Sequence, residues 1–371
     1  MHYILHLTND CNLSCSYCYV CQKQEYMDSA TVRNAARLAA RQDQATVGIG
    51  FFGGEPMLCR DRIYEAVAYC RELEREYPVR FHFKMTTNGT LLDREFLEFS
   101  SRERIMIALS CDGTQTAHDM HRRDRQGHPT WERLDAVIPE LLSHHPYAPV
   151  MMTVTPETVQ WYAQGVQELW EKGFHYFICS LDYSGDWSDR TVRILGRQYR
   201  VLAKWYEELT RREEKFYFSP FELKIASHIR GENYCHERCE LGTRQVSVAP
   251  DGRIYPCTQF VGKEEFCIGD VINGINEKKR LALYRENEQT KPECSGCAVR
   301  GRCNCNCGCL NYQVTGSIGS VPAILCEHER ILFPLVDRMA ERLYRDRNGM
   351  FIQKHYNQIF PLISLVEDLK R

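Results

Sequence analysis

Three cysteines near the N-terminus are spaced closely enough to bind one metal centre together. Cys11, Cys15 and Cys18 follow an apolar run over residues 3–7 that predicts a buried strand. Thiolates at this spacing bind either zinc or an iron–sulfur cluster. Three thiolates on a four-iron cluster leave one iron open to a small molecule. Cys21 would instead close the cluster as a fourth thiolate ligand.

A second, longer series of cysteines lies towards the C-terminus. In all, the chain holds 19 cysteines among 371 residues. A structural zinc ribbon made of Cys-x-x-Cys-like pairs is one interpretation of the series, and further iron–sulfur clusters are the other. The series runs Cys239-x12-Gly252-x4-Cys257, then Cys294-x2-Cys297-x5-Cys303-x3-Cys307, and ends at Cys326.

Charge and hydropathy exclude several classes of protein. The first ten residues contain no basic segment followed by an apolar stretch, so no secretory signal is predicted. We therefore expect a cytoplasmic protein whose thiols stay reduced and available to metals. No run of 18 apolar residues predicts a membrane span. A formal net charge of −2, from 47 basic and 49 acidic residues, gives no bulk attraction to nucleic acid or anionic membrane.

The first part of the chain alternates short apolar runs with amphipathic stretches. Six strand–helix units predict an α/β fold, a partial (β/α)6 barrel of the TIM type, with active residues at the C-terminal strand ends. Strands are predicted over residues 3–7, 47–52, 81–86, 105–110, 150–155 and 176–181. Helices are predicted over residues 30–41, 63–77, 94–100, 131–142, 158–171 and 192–212.

The composition changes at about residue 235. Apolar runs shorten beyond it, and Cys, Gly and Pro become more frequent, which predicts a region held together by metal. Within it, Asp251-Gly252 predicts a tight turn between strands at 246–249 and 254–255. We expect three parts, namely a barrel at 1–225, a cysteine-rich iron–sulfur domain at 226–330 and a helical segment at 331–371, with a helix over 332–344.

The N-terminal cysteines lie in a recognisable motif. The segment Cys11-Asn12-Leu13-Ser14-Cys15-Ser16-Tyr17-Cys18-Tyr19 resembles the signature of radical S-adenosylmethionine (SAM) enzymes. Three further motifs of that family follow in its order, each at the end of a predicted strand: Gly53-Gly54-Glu55-Pro56, Thr87-Asn88-Gly89 and Ser110-Cys111-Asp112-Gly113. The resemblance implies that the open iron of a 4Fe–4S cluster binds SAM, and that reduction cleaves SAM to methionine and a 5′-deoxyadenosyl radical. An electron donor such as flavodoxin or ferredoxin is implied with it.

The same resemblance implies which residues bind SAM. Glu55 would accept from its amino group, Arg122 would pair with its carboxylate, and Tyr17 would lie beside the adenine. Gly53 and Gly54 would let the backbone approach the methionine end. Taken alone, each of these residues also fits a turn or a solvated surface charge. The expected cofactor-binding set is completed by Asn88, Ser110 and Asp112.

The C-terminal cysteine series resembles the SPASM extension of radical SAM enzymes, which implies two auxiliary 4Fe–4S clusters. Cys305 and Cys309 interleave with the series and can replace Cys307 as a ligand. Cys235 is the candidate fourth ligand of the first cluster, which without it would have an open iron. By resemblance, the first cluster would also use Cys239, Cys257 and Cys307, and the second would use Cys294, Cys297, Cys303 and Cys326.

The sequence resembles two subfamilies of these enzymes, and each implies a different reaction. Anaerobic sulfatase-maturating enzymes, which oxidise Cys or Ser to formylglycine, carry a basic aspartate directly after the cysteine of Tyr-Pro-Cys. Here Thr258 stands at that position, and a hydroxyl is a poor proton acceptor at neutral pH. The segment Cys257-Thr258-Gln259-Phe260-Val261-Gly262 resembles instead the maturases of ribosomally made peptides, which often link a cysteine sulfur to a carbon of a neighbouring residue.

The sequence therefore predicts a radical SAM/SPASM oxidoreductase that forms a thioether in a Cys-containing, ribosomally made peptide. Formylglycine formation is the first alternative, and an iron–sulfur electron-transfer protein without chemistry of its own is the second. Many peptide maturases carry an N-terminal leader-recognition domain, whereas the first barrel strand here begins at residue 3. We expect the leader to bind at the edge of the predicted hairpin or through a separate protein.

Three clusters predict a defined iron content. Anaerobic reconstitution should give about twelve irons per chain, four for each cluster. Replacing Cys11, Cys15 and Cys18 with Ala should remove one cluster and abolish SAM cleavage while the other clusters remain. Iron analysis and detection of 5′-deoxyadenosine measure both effects, and about four irons in the unaltered chain would show that the C-terminal cysteines hold no iron–sulfur cluster.

Overall fold

A computed structural model of the chain describes residues 1–42, 44–231, 239–360 and 364. Cys235, the expected fourth ligand of the first auxiliary cluster, lies outside the described residues. The strands are β1 His2–Thr8, β2 Thr46–Gly53, β3 Arg80–Thr87, β4 Ile105–Ser110, β5 Pro149–Val154, β6 Tyr176–Leu181, β7 Tyr217–Phe218, β8 Gln245–Val248, β9 Arg253–Tyr255, β10 Gly269–Asp270 and β11 Gly274–Ile275.

Helices follow most of the strands and cover the outside of the sheet. Several begin at a residue whose side chain caps the free backbone N–H groups, as Asp28, Asp93 and Ser188 do. The helices are α1 Ser29–Ala40, α2 Arg60–Glu76, α3 Arg94–Arg102, α4 Gln115–His121, α5 Trp131–His144, α6 Tyr162–Glu171, α7 Asp189–Arg211, α8 Ser219–Arg230, α9 Glu277–Glu288, α10 Gly308–Thr315, α11 Ala323–Arg345 and α12 Gly349–Tyr356.

The described strands form a sheet in the order β11-β10-β9-β8-β1-β2-β3-β4-β5-β6-β7. Neighbours from β1 to β7 are parallel, which confirms the α/β fold class and the six predicted strands. Strand β2 is buried along nearly its whole length, as expected of a parallel strand covered on both faces. The sequence patterns did not indicate β7, β10 and β11, which have two residues each and therefore no readable period. They also did not indicate the helices α4, α8, α9 and α10.

The predicted hairpin is present as β8 and β9, but it is not a separate unit. Strand β8 lies parallel to β1, with Tyr3 opposite Val246 and Leu5 opposite Val248. Strand β9 pairs on its other side with β10. Both edges of the hairpin are therefore occupied by strands of the described chain, so the expectation that its edge binds a leader peptide is wrong.

The C-terminal helix is longer than predicted and packs on the barrel. α11 already contains Cys326, whereas the sequence predicted a helix over residues 332–344. Its buried Leu332, Val336 and Leu343 belong to the same apolar core as the barrel strands. α11 contacts α7 and α8. Its His328 forms a hydrogen bond with the hydroxyl of Tyr183, two residues after the end of β6. Among the described residues, none of the helices is long and apolar enough to cross a bilayer.

Candidate active site

The N-terminal cysteines lie in the loop that follows β1, at the C-terminal end of the sheet. Cys11 is buried, Cys15 is half-buried and Cys18 is exposed. The amide of Leu13 donates to Cys11 Sγ over 3.4 Å, which holds the loop around the sulfur. Burial raises the pKa of the Cys11 thiol to about 12. The metal-free thiol is therefore protonated, and binding of a metal releases that proton.

Two glycines hold this loop against the end of β2. Gly53 has a φ of +135°, which an L-residue rarely adopts. A Cβ on Gly54 would lie 2.0 Å from the carbonyl oxygen of Asp10, the residue directly before Cys11. The amide of Glu55 donates to that same carbonyl over 2.9 Å. Glycine is thus required at residue 54 for the backbone contact that positions the first cysteine.

Glu55 is buried at the end of β2 among hydrogen-bond donors. Its carboxylate accepts from the amide of Met57 over 3.0 Å, the hydroxyl of Thr87 over 2.7 Å and the amide of Asn88 over 2.8 Å. Burial raises the pKa of Glu55 to about 7, although these three donors act in the opposite direction. The Asn88 side chain in turn donates to Asn12 Oδ1 over 2.9 Å, so the loop after β3 supports the cysteine loop.

Asp112, after β4, organises the opposite side of the site. Its carboxylate accepts from Arg122 Nε over 2.9 Å, from Arg122 Nη2 over 3.3 Å and from the Tyr17 hydroxyl. The amide of Thr153 on β5 donates to it over 2.9 Å. The Arg122 guanidinium lies over the Tyr17 ring, 5.4 Å from its centre. Arg122 is therefore not a solvated surface charge, because it is buried in an ion pair at the site.

A cavity of about 810 Å³ opens between these strand ends and the cysteine-rich region. Tyr17, Ser110 and Arg122 line it from the barrel side. Thr258 and Gln259 line it from the region beyond β9. The Tyr19 hydroxyl reaches Thr258 Oγ1 at 3.5 Å, so the N-terminal cysteine loop contacts the segment that follows Cys257. A volume of this size holds a cofactor and part of a second molecule.

The cysteines of the C-terminal series fall into two separate groups. The first group lies in an apolar cluster that includes Tyr255, Phe260 and Phe266, and the thiols of Cys307 and Cys309 are 3.7 Å apart there. The first group contains Cys239, Cys257, Cys307 and Cys309. The second group is Cys294, Cys297, Cys303, Cys305 and Cys326.

Two family models match the chain. The radical SAM superfamily model matches residues 5–176. The SPASM model, an iron–sulfur cluster-binding domain, matches residues 239–298. The chain therefore contains a radical SAM domain followed by a SPASM domain. These domains imply a SAM-binding 4Fe–4S cluster and auxiliary clusters, as the sequence predicted.

Related proteins share most of the length of this radical SAM/SPASM chain. The cysteine-type anaerobic sulfatase-maturating enzyme of Clostridium perfringens is 21% identical over 322 residues, which cover 81% of this chain and 86% of the relative. The subtilosin biosynthesis protein AlbA of Bacillus subtilis is 24% identical over 297 residues, covering 75% of this chain and 58% of the relative.

Solved structures show the same fold. Native anSMEcpe with bound AdoMet superposes with a TM-score of 0.78 at 19% identity, covering 92% of this chain and all of that one (100%). Streptococcus suis SuiB bound to its precursor peptide SuiA superposes with a TM-score of 0.64 at 16% identity, covering 88% of this chain and 75% of that one. At these identities the likeness establishes the fold.

The residues present fit the implied iron–sulfur groups. The triplet offers three thiols beside the cavity, and each C-terminal group offers at least four. In the described part of the chain, no set of three or more His, Cys, Asp or Glu side chains is placed to bind a single metal ion. A four-iron cluster needs no such convergence, because each thiolate binds a different iron.

Sequence reasoning missed a polar cluster on the far wall of the cavity. Lys224 on α8 forms a buried ion pair with Glu329 on α11. The neighbouring His328 joins the hydroxyls of Tyr183 and Tyr199, each 2.7 Å from a ring nitrogen. Burial lowers the pKa of His328 to about 3, so the ring is neutral. The signal available in the sequence was a charged residue on the apolar face of each helix, Lys224 in α8 and Glu329 in α11. Such residues indicate a buried ion pair or a functional site, because buried charges are paired or functional.

The close contact at Gly54 predicts the effect of a single methyl group. Gly54→Ala should lower the free energy of unfolding by about 1–3 kcal/mol, because the new Cβ overlaps the Asp10 carbonyl. The iron content should fall too, because the loop that carries Cys11 is displaced. Urea unfolding and iron analysis of anaerobically purified protein measure these effects.

A matched control for this substitution lies in α7. A Cβ on Gly196 would meet its nearest atom at 3.8 Å. Gly196→Ala should therefore leave the iron content unchanged and raise stability by about 0.5–1 kcal/mol, because alanine favours a helix. An unchanged unfolding midpoint in Gly54→Ala would contradict the role given to this contact.

Proposed function

We propose that this radical SAM/SPASM protein is a maturase of peptide or protein substrates, and that it forms a thioether from a cysteine of a ribosomally made peptide. The observation that carries the choice of reaction is Thr258. Its hydroxyl faces the cavity at the position where sulfatase-type enzymes carry a basic aspartate. It accepts from the Tyr19 hydroxyl and lies 3.9 Å from Cys257 Sγ.

The proposed cofactor site uses the groups that converge at the strand ends. Cys11, Cys15 and Cys18 would hold the SAM-binding cluster. Glu55 would accept from the amino group of SAM, because it is a buried carboxylate at the end of β2, next to the loop that carries Cys11. Arg122 would keep its pair with Asp112 and present its remaining N–H groups to the SAM carboxylate. The rest of the proposed SAM-binding set is Tyr17, Gly53, Gly54, Asn88 and Ser110.

When bound, SAM and its cluster supply a 5′-deoxyadenosyl radical, and the auxiliary clusters supply an acceptor for one further electron. Ser110 and Arg122 line the barrel side of the cavity, where the substrate carbon would lie in this proposal. Forming the C–S bond requires three losses from the substrate. The carbon loses one hydrogen atom to the 5′-deoxyadenosyl radical, the cysteine thiol loses one proton, and one electron passes to an auxiliary cluster. Met151 and Leu223 contribute apolar side chains to the wall of the cavity.

A peptide is the proposed substrate class for two reasons. The cavity of about 810 Å³ is larger than one cofactor requires and extends to the polar groups of α8 and α11. Related proteins are also described with peptides: anSMEcpe has been solved with a Cp18Cys peptide, and SuiB with the precursor SuiA. A separate leader-binding protein and a flavodoxin- or ferredoxin-type electron donor complete the proposed partners.

Formylglycine formation is the second candidate reaction. It is favoured by the sulfatase-maturating relatives, which align over about four-fifths of this chain (81%), and by the TM-score of 0.78 with anSMEcpe. A carboxylate at residue 258 would strengthen this candidate, whereas the hydroxyl found there weakens it.

Loss of Glu55 or Arg122 should weaken the binding of SAM. A charge-assisted hydrogen bond contributes about 1.5–3 kcal/mol, so Glu55→Gln or Arg122→Ala should reduce SAM affinity about tenfold or more. Equilibrium binding of SAM to the anaerobic, cluster-loaded protein measures this affinity.

The Arg122 variant needs a control, because it leaves the buried carboxylate of Asp112 without its partner. The double variant Arg122→Ala with Asp112→Asn removes both charges and separates loss of the ion pair from loss of the SAM contact. If the double variant binds SAM as tightly as the unaltered protein, Arg122 does not contact SAM.

The choice of reaction predicts the product. Turnover of a Cys-containing precursor peptide should give a peptide lighter by two hydrogen atoms, whose cysteine no longer reacts with an alkylating reagent. Mass spectrometry before and after alkylation measures both properties. Thr258→Ala should keep most of the activity, because the hydroxyl is not a base in this proposal.

A sulfatase-derived Cys-x-Pro-x-Arg peptide serves as the competing substrate. Its efficient conversion to an aldehyde-bearing product would establish formylglycine formation instead. Thr258→Asp tests whether formylglycine formation requires a carboxylate at residue 258, since it introduces the aspartate that the sulfatase-type enzymes carry there.

A further inference from the structure

We propose that Cys309 is the fourth thiolate ligand of the first auxiliary cluster, which is thereby fully ligated without Cys235. The inference concerns the cysteines of this chain and does not depend on which bond the enzyme forms. It rests on the grouping of the C-terminal thiols, which the spacing of the cysteines alone left open.

Cys309 lies in the same apolar cluster as Cys239, Cys257 and Cys307, the three expected ligands of that iron–sulfur cluster. Its sulfur lies 3.7 Å from that of Cys307. Cys257 and Cys239 lie in the same apolar cluster, where the thiol of Cys257 interacts with that of Cys309 and the thiol of Cys239 with that of Cys307. Each of the four thiols therefore has another of them as a direct neighbour.

The backbone conformation before Cys309 explains why Cys305 and Cys309 lie in different groups of cysteines. The amide of Cys307 donates to the carbonyl of Asn304 over 3.2 Å, which closes a turn between Cys305 and Cys307. α10 begins directly after this turn and carries Cys309 in its first turn. Cys305 stays on the other side, in the apolar cluster that contains Cys303 and Cys294.

Two asparagine side chains brace the turn. Asn287 Nδ2 donates to the carbonyl of Asn306 over 2.8 Å, and Asn311 Nδ2 donates to that of Cys305 over 2.9 Å. A Cβ on Gly308 would lie 2.4 Å from Asn287 Oδ1, so glycine is needed for α10 to start here. The division of the thiols between two groups is therefore built into the backbone.

The surroundings of this group suit a four-iron cluster. Cys257 and Cys309 are buried, while Cys239 and Cys307 are half-buried against the same apolar cluster. Thiolates in an apolar pocket are stabilised when each binds an iron and its proton is lost. With four thiolates the cluster has no open iron, so it cannot bind a substrate thiolate and is left with electron transfer.

The test compares cysteine variants of the full chain. Replacing Cys11, Cys15 and Cys18 with Ala first removes the SAM-binding cluster, whose open iron would confuse the measurement. Anaerobic reconstitution of this background should leave about eight irons, four in each auxiliary cluster. Mild oxidation of a cluster that has only three thiolates releases one iron and leaves a 3Fe–4S species, which electron paramagnetic resonance (EPR) detects.

Adding Cys309→Ala should bring the iron content from about eight to about seven after oxidation and give close to one 3Fe–4S signal per chain. Cys267→Ala is the matched control. Cys267 packs against the same apolar cluster, but its thiol donates to the carbonyl of Gly269 over 3.4 Å. This variant should keep about eight irons and give no 3Fe–4S signal.

Cys309→Ser covers the case in which the alanine variant does not fold. An oxygen ligand should keep about eight irons while changing the EPR spectrum of the reduced auxiliary cluster. The proposal is overturned if Cys309→Ala behaves like Cys267→Ala, or if Cys235→Ala gives the 3Fe–4S signal and Cys309→Ala does not. Since no arm of the test uses a peptide substrate, failure of the proposed thioether reaction would leave these results unaffected.

Discussion

The parallel pairing of β1 with β8 is the constraint on which the rest of the structure depends. β1 lies between β2 and β8, and its C-terminal end leads into the loop that carries Cys11. β8 continues through a tight turn into β9, which leads directly to Cys257 and Thr258. One strand thus sets both the place of the N-terminal cysteine triplet and its separation from the C-terminal cysteines. The contact of Tyr19 with Thr258 follows from that register.

Buried polar groups then fix the loops at the strand ends. Glu55 and Asp112 each accept three or more hydrogen bonds, so neither carboxylate can move without leaving buried polar groups unsatisfied. Such networks cost stability when they are incomplete, and they specify one arrangement when they are complete. The cavity between the barrel and the SPASM domain is therefore a preorganised space, bounded by Arg122 on one side and Thr258 on the other.

The sequence predicted the parts of the fold that have local causes. The six apolar runs and the Asp251-Gly252 turn indicate strands and a hairpin because their periodicity and turn chemistry are local. Pairing of β8 with β1 joins segments some 240 residues apart, and no local pattern encodes it. The spacing of the cysteines also could not predict that Cys305 and Cys309 lie in different groups. That separation depends on a turn stabilised by hydrogen bonds from Asn287 and Asn311. The ion pair of Lys224 with Glu329 joins two helices that are far apart in the sequence, so no local pattern indicates that these two residues pair.

The central claim is that the radical made at the triplet acts on a peptide held in this cavity. Deuterium transfer tests it most directly. A Cys-containing precursor peptide would be prepared with deuterium on its carbon atoms and incubated with SAM and the reduced protein. We expect deuterium in the 5′-deoxyadenosine that forms, because the radical removes a carbon-bound deuterium atom from the labelled peptide. Formation of 5′-deoxyadenosine without deuterium, from a peptide that stays unchanged, would contradict it.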